Sequence, residues 1–158
     1  MTIQVGDRIP SATLHEGTPG TTHDPAELFS GKRVVLFAVP GAFTPTCSNS
    51  HLPGYVAQAD EIRAKGVDLI VCVSVNDAFV MAAWGAVQGA SGQVMMLADP
   101  AAEWTKAMGL DVDAAVLGGT RSKRYSMLIE DGVVTKMNLE PDGFGLRCSN
   151  VESIVDQL

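Results

Sequence analysis

Cysteine and histidine are scarce in this chain, and their spacing excludes several kinds of site. Its 158 residues include three cysteines and three histidines. No C-x-x-C pair occurs, and His15, His23 and His51 lie too far apart in the sequence to show the ligand spacing of a zinc site. An odd number of cysteines does not indicate a framework of structural disulfides. We therefore predict neither a metal site nor a structural disulfide.

The chain also lacks long apolar runs and an excess of basic residues. No run approaches the roughly 20 apolar residues of a transmembrane helix, and residues 1–7 show no basic region followed by an apolar one, as a secretory signal would. Acidic residues outnumber Lys and Arg by 18 to 11, which gives a net charge of −7. This balance argues against nucleic acid or an anionic membrane as the main partner. A cytoplasmic protein is the default expectation.

Apolar residues are plentiful enough to form a buried core. They make up 46% of the sequence, against 18% charged residues, which predicts a folded chain. The length suits one domain, residues 1–158. Nearly continuous apolar runs at 34–39, 67–75 and 94–98 are typical of strands in a parallel sheet that is covered on both faces.

Capping residues and glycines predict the elements between and after these strands. We expect helices over about 45–65, 78–87, 100–108 and 150–157, with Pro53 kinking the first of them. A tight turn at Asp131–Gly132 joins strands 125–130 and 133–138 into a hairpin. Residues 12–14 form a short strand, residues 25–29 a helical turn, and residues 110–123 are expected to be irregular. The resulting order, β-α-β-α-β-α-β-β-α, predicts an α/β fold with a central mixed sheet flanked by helices.

Residues 34–47 combine a buried strand with the start of a helix. Pro40 ends the strand, and Thr44 followed by Pro45 is typical of a helix N-cap with proline at the first helical position. Cys47 is then the third helical residue, so its sulfur would lie near unpaired N–H groups at the positive end of the helix dipole. Thiols ionise most easily at such positions. Cys47 is our candidate reactive thiolate; the alternative is a small buried hydrophobic residue, the usual role of a free cysteine.

A helix terminus alone is too weak to ionise a thiol fully at neutral pH. A thiol with a pKa near 6 instead of about 8.5 needs about 3.4 kcal/mol of extra stabilisation of its thiolate. A helix terminus supplies about 0.3–1 kcal/mol, or about 2 kcal/mol in a partly buried site. A cation or further hydrogen bonds should therefore also point at the sulfur. Arg121, Lys123 and Arg124 are candidates, and the residues alone do not choose among them.

His51 follows Cys47 by four residues and would lie on the same face of the helix. A Cys–His pair is one arrangement of a nucleophilic hydrolase, which would turn over an ester or amide without consuming a thiol. We favour the plainer interpretation, a hydrogen-bonding histidine at the rim of a pocket. A third hypothesis is a redox sensor, in which Cys47 oxidises once and changes a contact with a partner.

Cys47 belongs to an extended motif, Pro40-x-x-x-Thr44-x-x-Cys47-Ser48-x-x-His51-Leu52-Pro53-Gly54-Tyr55. Five further segments follow it: VSVNDAFV at 73–80, WG at 84–85, RSKRYSM at 121–127, EDG at 130–132 and NLEPDG at 138–143. In this order and at this spacing, the six segments resemble the peroxiredoxins, and the type II (atypical two-cysteine) subfamily in particular. The resemblance covers nearly the whole chain and implies a thioredoxin-like fold.

The resemblance implies a thiol peroxidase that reduces hydrogen peroxide and organic hydroperoxides without a cofactor. The cysteine that matches Cys47 attacks the O–O bond and becomes a sulfenic acid. The matching threonine, Thr44, hydrogen-bonds the thiolate and the peroxide, and the matching arginine, Arg124, supplies the required cation. Pro40 is expected to shield the sulfur from water, and Phe43 to form part of the pocket wall.

The resemblance also extends to Cys148, which lies in a segment similar to the resolving-cysteine segment of animal-type members. It implies a disulfide between Cys148 and Cys47. Given the narrow Cα–Cα range of disulfides, that bond would require the first helical turn to unwind. Cys72, in the middle of an apolar strand, is more simply a core thiol.

The partners implied by the resemblance are a reductant and a second copy of the chain. The sequence Thr44-Pro45-Thr46-Cys47 matches plant and many bacterial members, which often use glutaredoxin or glutathione. Cys148 instead matches thioredoxin-dependent members, so both kinds of reductant stay open. Members of this type commonly form homodimers through the active-site face, and Phe79 and Trp84 are candidate interface residues, with core packing as the alternative.

Overall fold

Nine strands make up two sheets in the computed structural model, which describes residues 1–158. In chain order the strands are β1 (Leu14–Glu16), β2 (Thr18–His23), β3 (Arg33–Ala38), β4 (Leu69–Ser74), β5 (Met95–Ala98), β6 (Asp111–Ala114), β7 (Gly119–Ser122), β8 (Tyr125–Glu130) and β9 (Val133–Leu139). Seven of them form one sheet in the order β2-β1-β5-β4-β3-β8-β9, and β6 pairs with β7 separately.

Six α-helices and two irregular helical turns connect the strands. The helices are α1 (Pro25–Leu28), α2 (Leu52–Ala57), α3 (Ala59–Ala64), α4 (Ala78–Val87), α5 (Glu103–Ala107) and α6 (Val151–Asp156). A π-helical turn over Cys47–His51 precedes α2, and a 3₁₀ turn over Ala115–Leu117 lies between β6 and β7. No helix is both long and apolar enough to cross a membrane.

The large sheet is mixed, as the sequence predicts. Strands β3, β4 and β5 run parallel, whereas β8 lies antiparallel beside β3. Alternate residues of β3 pack into two separate cores, with Phe37 on the face that carries Cys47 and Leu36 on the face that carries Trp104. Because both faces are covered, the strand reads as an uninterrupted apolar run.

Two predicted elements match the structure closely. Helix α4 covers the predicted residues, and the Asp77 carboxylate caps it by accepting from the Val80 N–H at 2.8 Å. The hairpin of β8 and β9 turns at Asp131–Gly132, where both residues have positive φ.

The sequence did not predict three strands, β2, β6 and β7, that lie mostly in solvent. Residues 110–123, predicted to be irregular, contain the β6–β7 hairpin, and the turn-rich sequence Thr18–His23 forms the edge strand β2. No residue of β2 is buried, so its sequence carries no apolar alternation. Pro19 is tolerated there because an edge strand leaves some N–H groups unpaired.

Two helices begin later than predicted. Helix α5 begins at Glu103 and not at Pro100, and the Asp99 carboxylate accepts from the backbone N–H groups of Trp104 and Thr105. Helix α6 begins at Val151, and the Asn150 side chain caps it by accepting from the Ser153 N–H at 2.9 Å.

The helix predicted over 45–65 is divided into three pieces. In the π-helical turn the Leu52 N–H donates to the Cys47 carbonyl, five residues back. Pro53 thereby falls in the first turn of α2, where its missing N–H leaves no intrahelical bond unmade. A second break at Gln58 separates α2 from α3. A π-turn is a common feature of functional sites, and this one carries Cys47.

Candidate active site

Cys47 lies at the end of the loop that leaves β3, and its side chain is fully buried. It packs in the core that also contains Phe37, Val39 and Tyr55. Its sulfur accepts one hydrogen bond, from Arg124 Nη2 at 3.2 Å. A buried thiol with a guanidinium on its sulfur has the cation that a helix terminus alone does not supply.

Arg124 reaches the sulfur because of the sheet topology. It precedes β8, and β8 pairs with β3 so that Tyr125 lies opposite Ala38, near the start of the loop to Cys47. Its side chain is 3% exposed and forms no ion pair with a carboxylate. All three guanidinium nitrogens are used: Nε donates to the Phe144 carbonyl at 3.0 Å, Nη1 to His51 at 2.8 Å and Nη2 to Cys47. Arg124 therefore places a positive charge that has no carboxylate partner against the Cys47 sulfur.

The other two candidate cations do not contact Cys47. Arg121 donates to the backbone carbonyls of Val75 at 2.8 Å and Leu117 at 2.6 Å, and so links two loops at this end of the sheet. The Lys123 side chain packs against Gly143. Of the three residues left open by the sequence, only Arg124 lies at the sulfur.

His51 lies beneath the site, not at the rim predicted for it, because its side chain is 1% exposed. Its Nε2 lies 3.0 Å from the Ser149 carbonyl oxygen and therefore carries the hydrogen, which leaves Nδ1 to accept from Arg124. Burial, reinforced by the charge of Arg124, lowers the pKa of His51 from 6.5 to about 3. The ring is neutral at physiological pH, and neither nitrogen faces Cys47. This geometry argues against the Cys–His hydrolase hypothesis.

The loop before Cys47 is fixed by polar contacts that the sequence did not reveal. The Asn76 side-chain carbonyl accepts from Ala42 N–H at 3.1 Å and from the Ser74 hydroxyl at 2.6 Å. Asn76 lies in the segment VSVNDAFV, which resembles the family, but the sequence does not indicate this contact. It holds the loop in place from the end of the neighbouring strand.

Thr44, Pro40 and Phe43 all belong to this loop. The helix begins at Pro45, as predicted, and the Ser48 N–H donates to the Thr44 backbone carbonyl at 2.9 Å. The Thr44 hydroxyl, however, accepts no hydrogen bond from a helix N–H and donates to the Gly41 carbonyl at 2.7 Å. Pro40 is buried, whereas Phe43 is 53% exposed and has a φ of 64°, a left-handed conformation that is strained for a bulky residue. Such strain persists where surrounding contacts impose it, often at functional sites.

The remaining cysteines occupy different environments, and all three are free thiols. Cys72 is fully buried in β4, and burial raises its pKa, as expected of a core thiol. Cys148 is partly buried; burial and the nearby Glu140 carboxylate raise its pKa. Its thiol donates to the Leu139 carbonyl at 3.4 Å.

The two residues predicted for an interface differ in exposure. Trp84 is fully buried, and its indole N–H donates to the Ser48 hydroxyl at 3.0 Å, so the interface prediction is wrong for this residue. Phe79 is 61% exposed.

Comparisons with known proteins identify the family of this chain. The Redoxin family model matches residues 4–155. Peroxiredoxin-2B of Arabidopsis thaliana is 45% identical over 145 residues, covering 89% of this chain and 90% of that protein. The chloroplastic Peroxiredoxin-2E of the same plant is 49% identical over 148 residues, and this chain spans 63% of its length.

This chain resembles solved structures of one bacterial protein in its reduced and in its oxidised state. Reduced Prx3 from Vibrio vulnificus in complex with H₂O₂ superposes with a TM-score of 0.93 at 54% identity, covering 99% of both chains. Oxidised Prx3 from the same organism superposes with a TM-score of 0.88, covering all of both chains. The present structure, with its free thiols, is more similar to the reduced form.

Proposed function

This chain belongs to the peroxiredoxins, which are thiol-dependent peroxidases, and on that premise we propose that Cys47 is its peroxidatic residue. The observation that carries the proposal is the buried Arg124 guanidinium on the Cys47 sulfur at 3.2 Å. Neither Cys72, deep in a strand, nor Cys148, beside a carboxylate, has a cation in hydrogen-bond contact with its sulfur. The complex of the related Vibrio protein with H₂O₂ supports a hydroperoxide as the substrate.

The reaction is a two-electron oxidation of sulfur. The Cys47 thiolate attacks one peroxide oxygen, an S–O bond forms and the O–O bond breaks, so that Cys47 becomes a sulfenic acid. The second oxygen leaves as hydroxide or alkoxide, takes up a proton and is released as water or alcohol. Negative charge moves from sulfur to the leaving oxygen, and the fixed donors of Arg124 are placed to stabilise it.

Thr44 is proposed to orient the peroxide. Its hydroxyl proton is engaged by the Gly41 carbonyl, so the oxygen can accept a hydrogen bond from a peroxide O–H. Pro40 is proposed to shield the sulfur from water, and Phe43 to form the exposed mouth of the pocket. His51 supports the site from below through Arg124.

Cys148 is proposed as the resolving thiol. It would attack the sulfur of the Cys47 sulfenic acid, forming the S–S bond while the hydroxyl leaves as water with the Cys148 proton. An external thiol reductant, thioredoxin or glutaredoxin with glutathione, would then return two electrons. Burial and the Glu140 carboxylate raise the pKa of Cys148, so its present surroundings disfavour the reactive thiolate.

Adding one equivalent of hydrogen peroxide to the reduced protein is expected to produce a disulfide between Cys47 and Cys148. Disulfide mapping by mass spectrometry detects it, and Cys72→Ser should give the same product because Cys72 stays in the core. A stable sulfenic acid on Cys47, or a glutathione adduct when glutathione is present, would contradict the role of Cys148 and indicate a one-cysteine cycle. Repeated turnover with reductant separates an enzyme from a redox sensor, which stops after one oxidation.

The chain is also proposed to act as a homodimer through the face around Cys47. Two exposed apolar residues lie in segments that a hydrogen bond joins: Phe43 follows Ala42, whose N–H donates to the Asn76 side chain, and Phe79 is the second residue of α4, which follows Asn76. Val116, 96% exposed, is adjacent to Leu117, which Arg121 ties to Val75. Exposed apolar residues in one patch favour association.

Replacing Phe79 by glutamate is expected to shift the protein from dimer to monomer in sedimentation experiments, because it places a charge in this patch. Val87→Glu is the matched control, since Val87 is 73% exposed on the same helix about two turns away. Dimers that survive Phe79→Glu, or equal dissociation in both variants, would exclude this face.

A cytoplasmic location and a single domain over residues 1–158 stay predictions; the chloroplastic designation belongs to the plant relatives.

A further inference from the structure

Glu140 is a buried carboxylate that the proposed reaction does not use. It follows β9, is 1% exposed and forms no ion pair. It accepts four hydrogen bonds from three consecutive residues: Oε1 from Arg147 N–H at 2.8 Å, and Oε2 from Cys148 N–H at 2.9 Å, Ser149 N–H at 2.7 Å and the Ser149 hydroxyl at 2.6 Å. A buried charge is tolerated when hydrogen bonds satisfy it in this way.

These hydrogen bonds outweigh the effect of burial on the carboxyl group. Burial alone would raise the pKa of Glu140, but the donors from Ser149, Arg147 and Cys148 hold it below its usual range. Glu140 therefore stays ionised at neutral pH and binds residues 147–149 as a carboxylate.

Ser149 connects this carboxylate to the candidate active site. Its carbonyl oxygen accepts from His51 Nε2 at 3.0 Å and from the Tyr55 hydroxyl at 2.9 Å. The first of these bonds fixes the hydrogen of His51 on Nε2, so that Nδ1 is free to accept from Arg124. Arg124 in turn donates to Cys47. The position of the Ser149 carbonyl thus determines how Arg124 is held on the sulfur.

The same three residues include the proposed resolving thiol. Glu140 binds Cys148 N–H directly, and the thiol is tied to the Leu139 carbonyl. A disulfide needs the two Cα atoms within about 4.4–6.8 Å and the side chains facing each other. The Cys148 thiol must release the Leu139 carbonyl to attack Cys47, and the hydrogen bonds from Glu140 to Cys148 and Ser149 oppose movement of this segment. The carboxylate therefore acts on both steps of the cycle.

We propose that Glu140 is a positioning residue with opposite effects on the two steps. By holding the Ser149 carbonyl under His51, it favours attack of Cys47 on peroxide. By holding Cys148 in place, it slows formation of the disulfide. This inference rests on the proposed function, since it requires both steps to occur.

Glu140→Gln tests the inference, because the amide keeps the size of the side chain but cannot accept at both oxygen positions. Samples quenched at intervals after one equivalent of hydrogen peroxide give two rates by mass spectrometry, loss of the Cys47 thiol and appearance of the disulfide. We expect the first rate to fall about tenfold and the second to rise about tenfold, the effect of losing hydrogen bonds to a charged group. The thiolate fraction of Cys47, measured from its alkylation rate against pH, should fall as well.

Two further variants distinguish a specific effect on the two rates from a general loss of folding in Glu140→Gln. Ser149→Ala removes only the hydroxyl hydrogen bond, so we expect smaller changes with the same opposite signs. Glu152→Gln removes the same charge from an exposed position on α6 and should match the wild type. Rates that both fall, or that both stay unchanged in Glu140→Gln, would mean that Glu140 is only structural.

The wild-type measurement distinguishes failure of this inference from failure of the proposed function. If peroxide leaves Cys47 of the wild type unmodified, the proposed function is wrong and the inference falls with it. If the wild type forms a sulfenic acid but no disulfide, the effect on Cys148 is overturned. If both steps occur in the wild type and Glu140→Gln behaves identically, the inference alone is wrong.

Discussion

Replacing Arg124 by alanine is expected to slow the reaction of Cys47 with hydrogen peroxide by about 100- to 1000-fold, as does removal of one donor that stabilises charge in a transition state. The guanidinium is buried and has no carboxylate partner, so little water or counter-charge weakens its effect on the sulfur. Rapid mixing with hydrogen peroxide, followed by quantification of Cys47 oxidation, gives the rate directly. The measured rate of Cys47 oxidation does not depend on Cys148 or on any reductant.

Two matched variants separate charge from geometry in this experiment. Arg124→Lys keeps the positive charge but loses the fork that contacts Cys47 and His51 together, so we expect an intermediate rate. Lys136→Ala removes a positive charge from an exposed position on β9 and should react like the wild type. If Cys47 of the Arg124→Ala protein reacts at the wild-type rate, the proposed activation of Cys47 is wrong.

The contact between Arg124 and Cys47 shows what sequence alone can and cannot predict. The helix-start pattern around Thr44 and Cys47 points to a reactive thiol, and the energy estimate requires a cation near it. The residues do not say which of three neighbouring cations it is, because pairing of β8 with β3 decides which side chain reaches the sulfur. Only the family motif favoured Arg124 in advance.

The supporting contacts were harder to predict, because they join residues that are distant in sequence. His51 and the Ser149 carbonyl are 98 positions apart, and the carbonyl has no side-chain signature. Glu140 lies in the segment NLEPDG, which carries family resemblance but no indication of its contacts. Thr44 illustrates a different limit: its sequence context fits an N-cap, but its hydroxyl donates to the Gly41 carbonyl and accepts no hydrogen bond from the helix backbone.

The same physical reasoning explains which elements were predicted correctly. Strands β3 and β4 are covered on both faces, so burial leaves a continuous apolar pattern in their sequences. The exposed strands β2, β6 and β7 bury little and leave no such pattern. Sequence periodicity reports burial, and an element that stays in solvent is specified by backbone pairing instead.

Lowering the pH from 7 to 5 is expected to decrease the free energy of unfolding by about 2 kcal/mol through His51 alone. In the folded protein its pKa is about 3, mainly because the ring is buried and next to Arg124, whereas the unfolded chain has the ordinary value of 6.5. Between these values only the unfolded state binds the proton. The stabilisation is thus complete above pH 6.5 and is lost as the pH falls toward 3. Glu140, the carboxylate nearest in the network, stays ionised at pH 5 because its pKa is lowered.

Urea unfolding at pH 7 and pH 5, at one protein concentration, measures this loss. His51→Gln should show a smaller difference between the two pH values, because the amide can donate to Ser149 and accept from Arg124 without titrating. His15→Gln, a change at a partly exposed histidine outside the site, should keep the wild-type difference. Equal pH dependence in the wild type and His51→Gln would mean that His51 is not held neutral. A neutral His51 can accept the hydrogen bond from Arg124 at Nδ1, so this measurement examines the network behind Cys47 by a route that requires no peroxide.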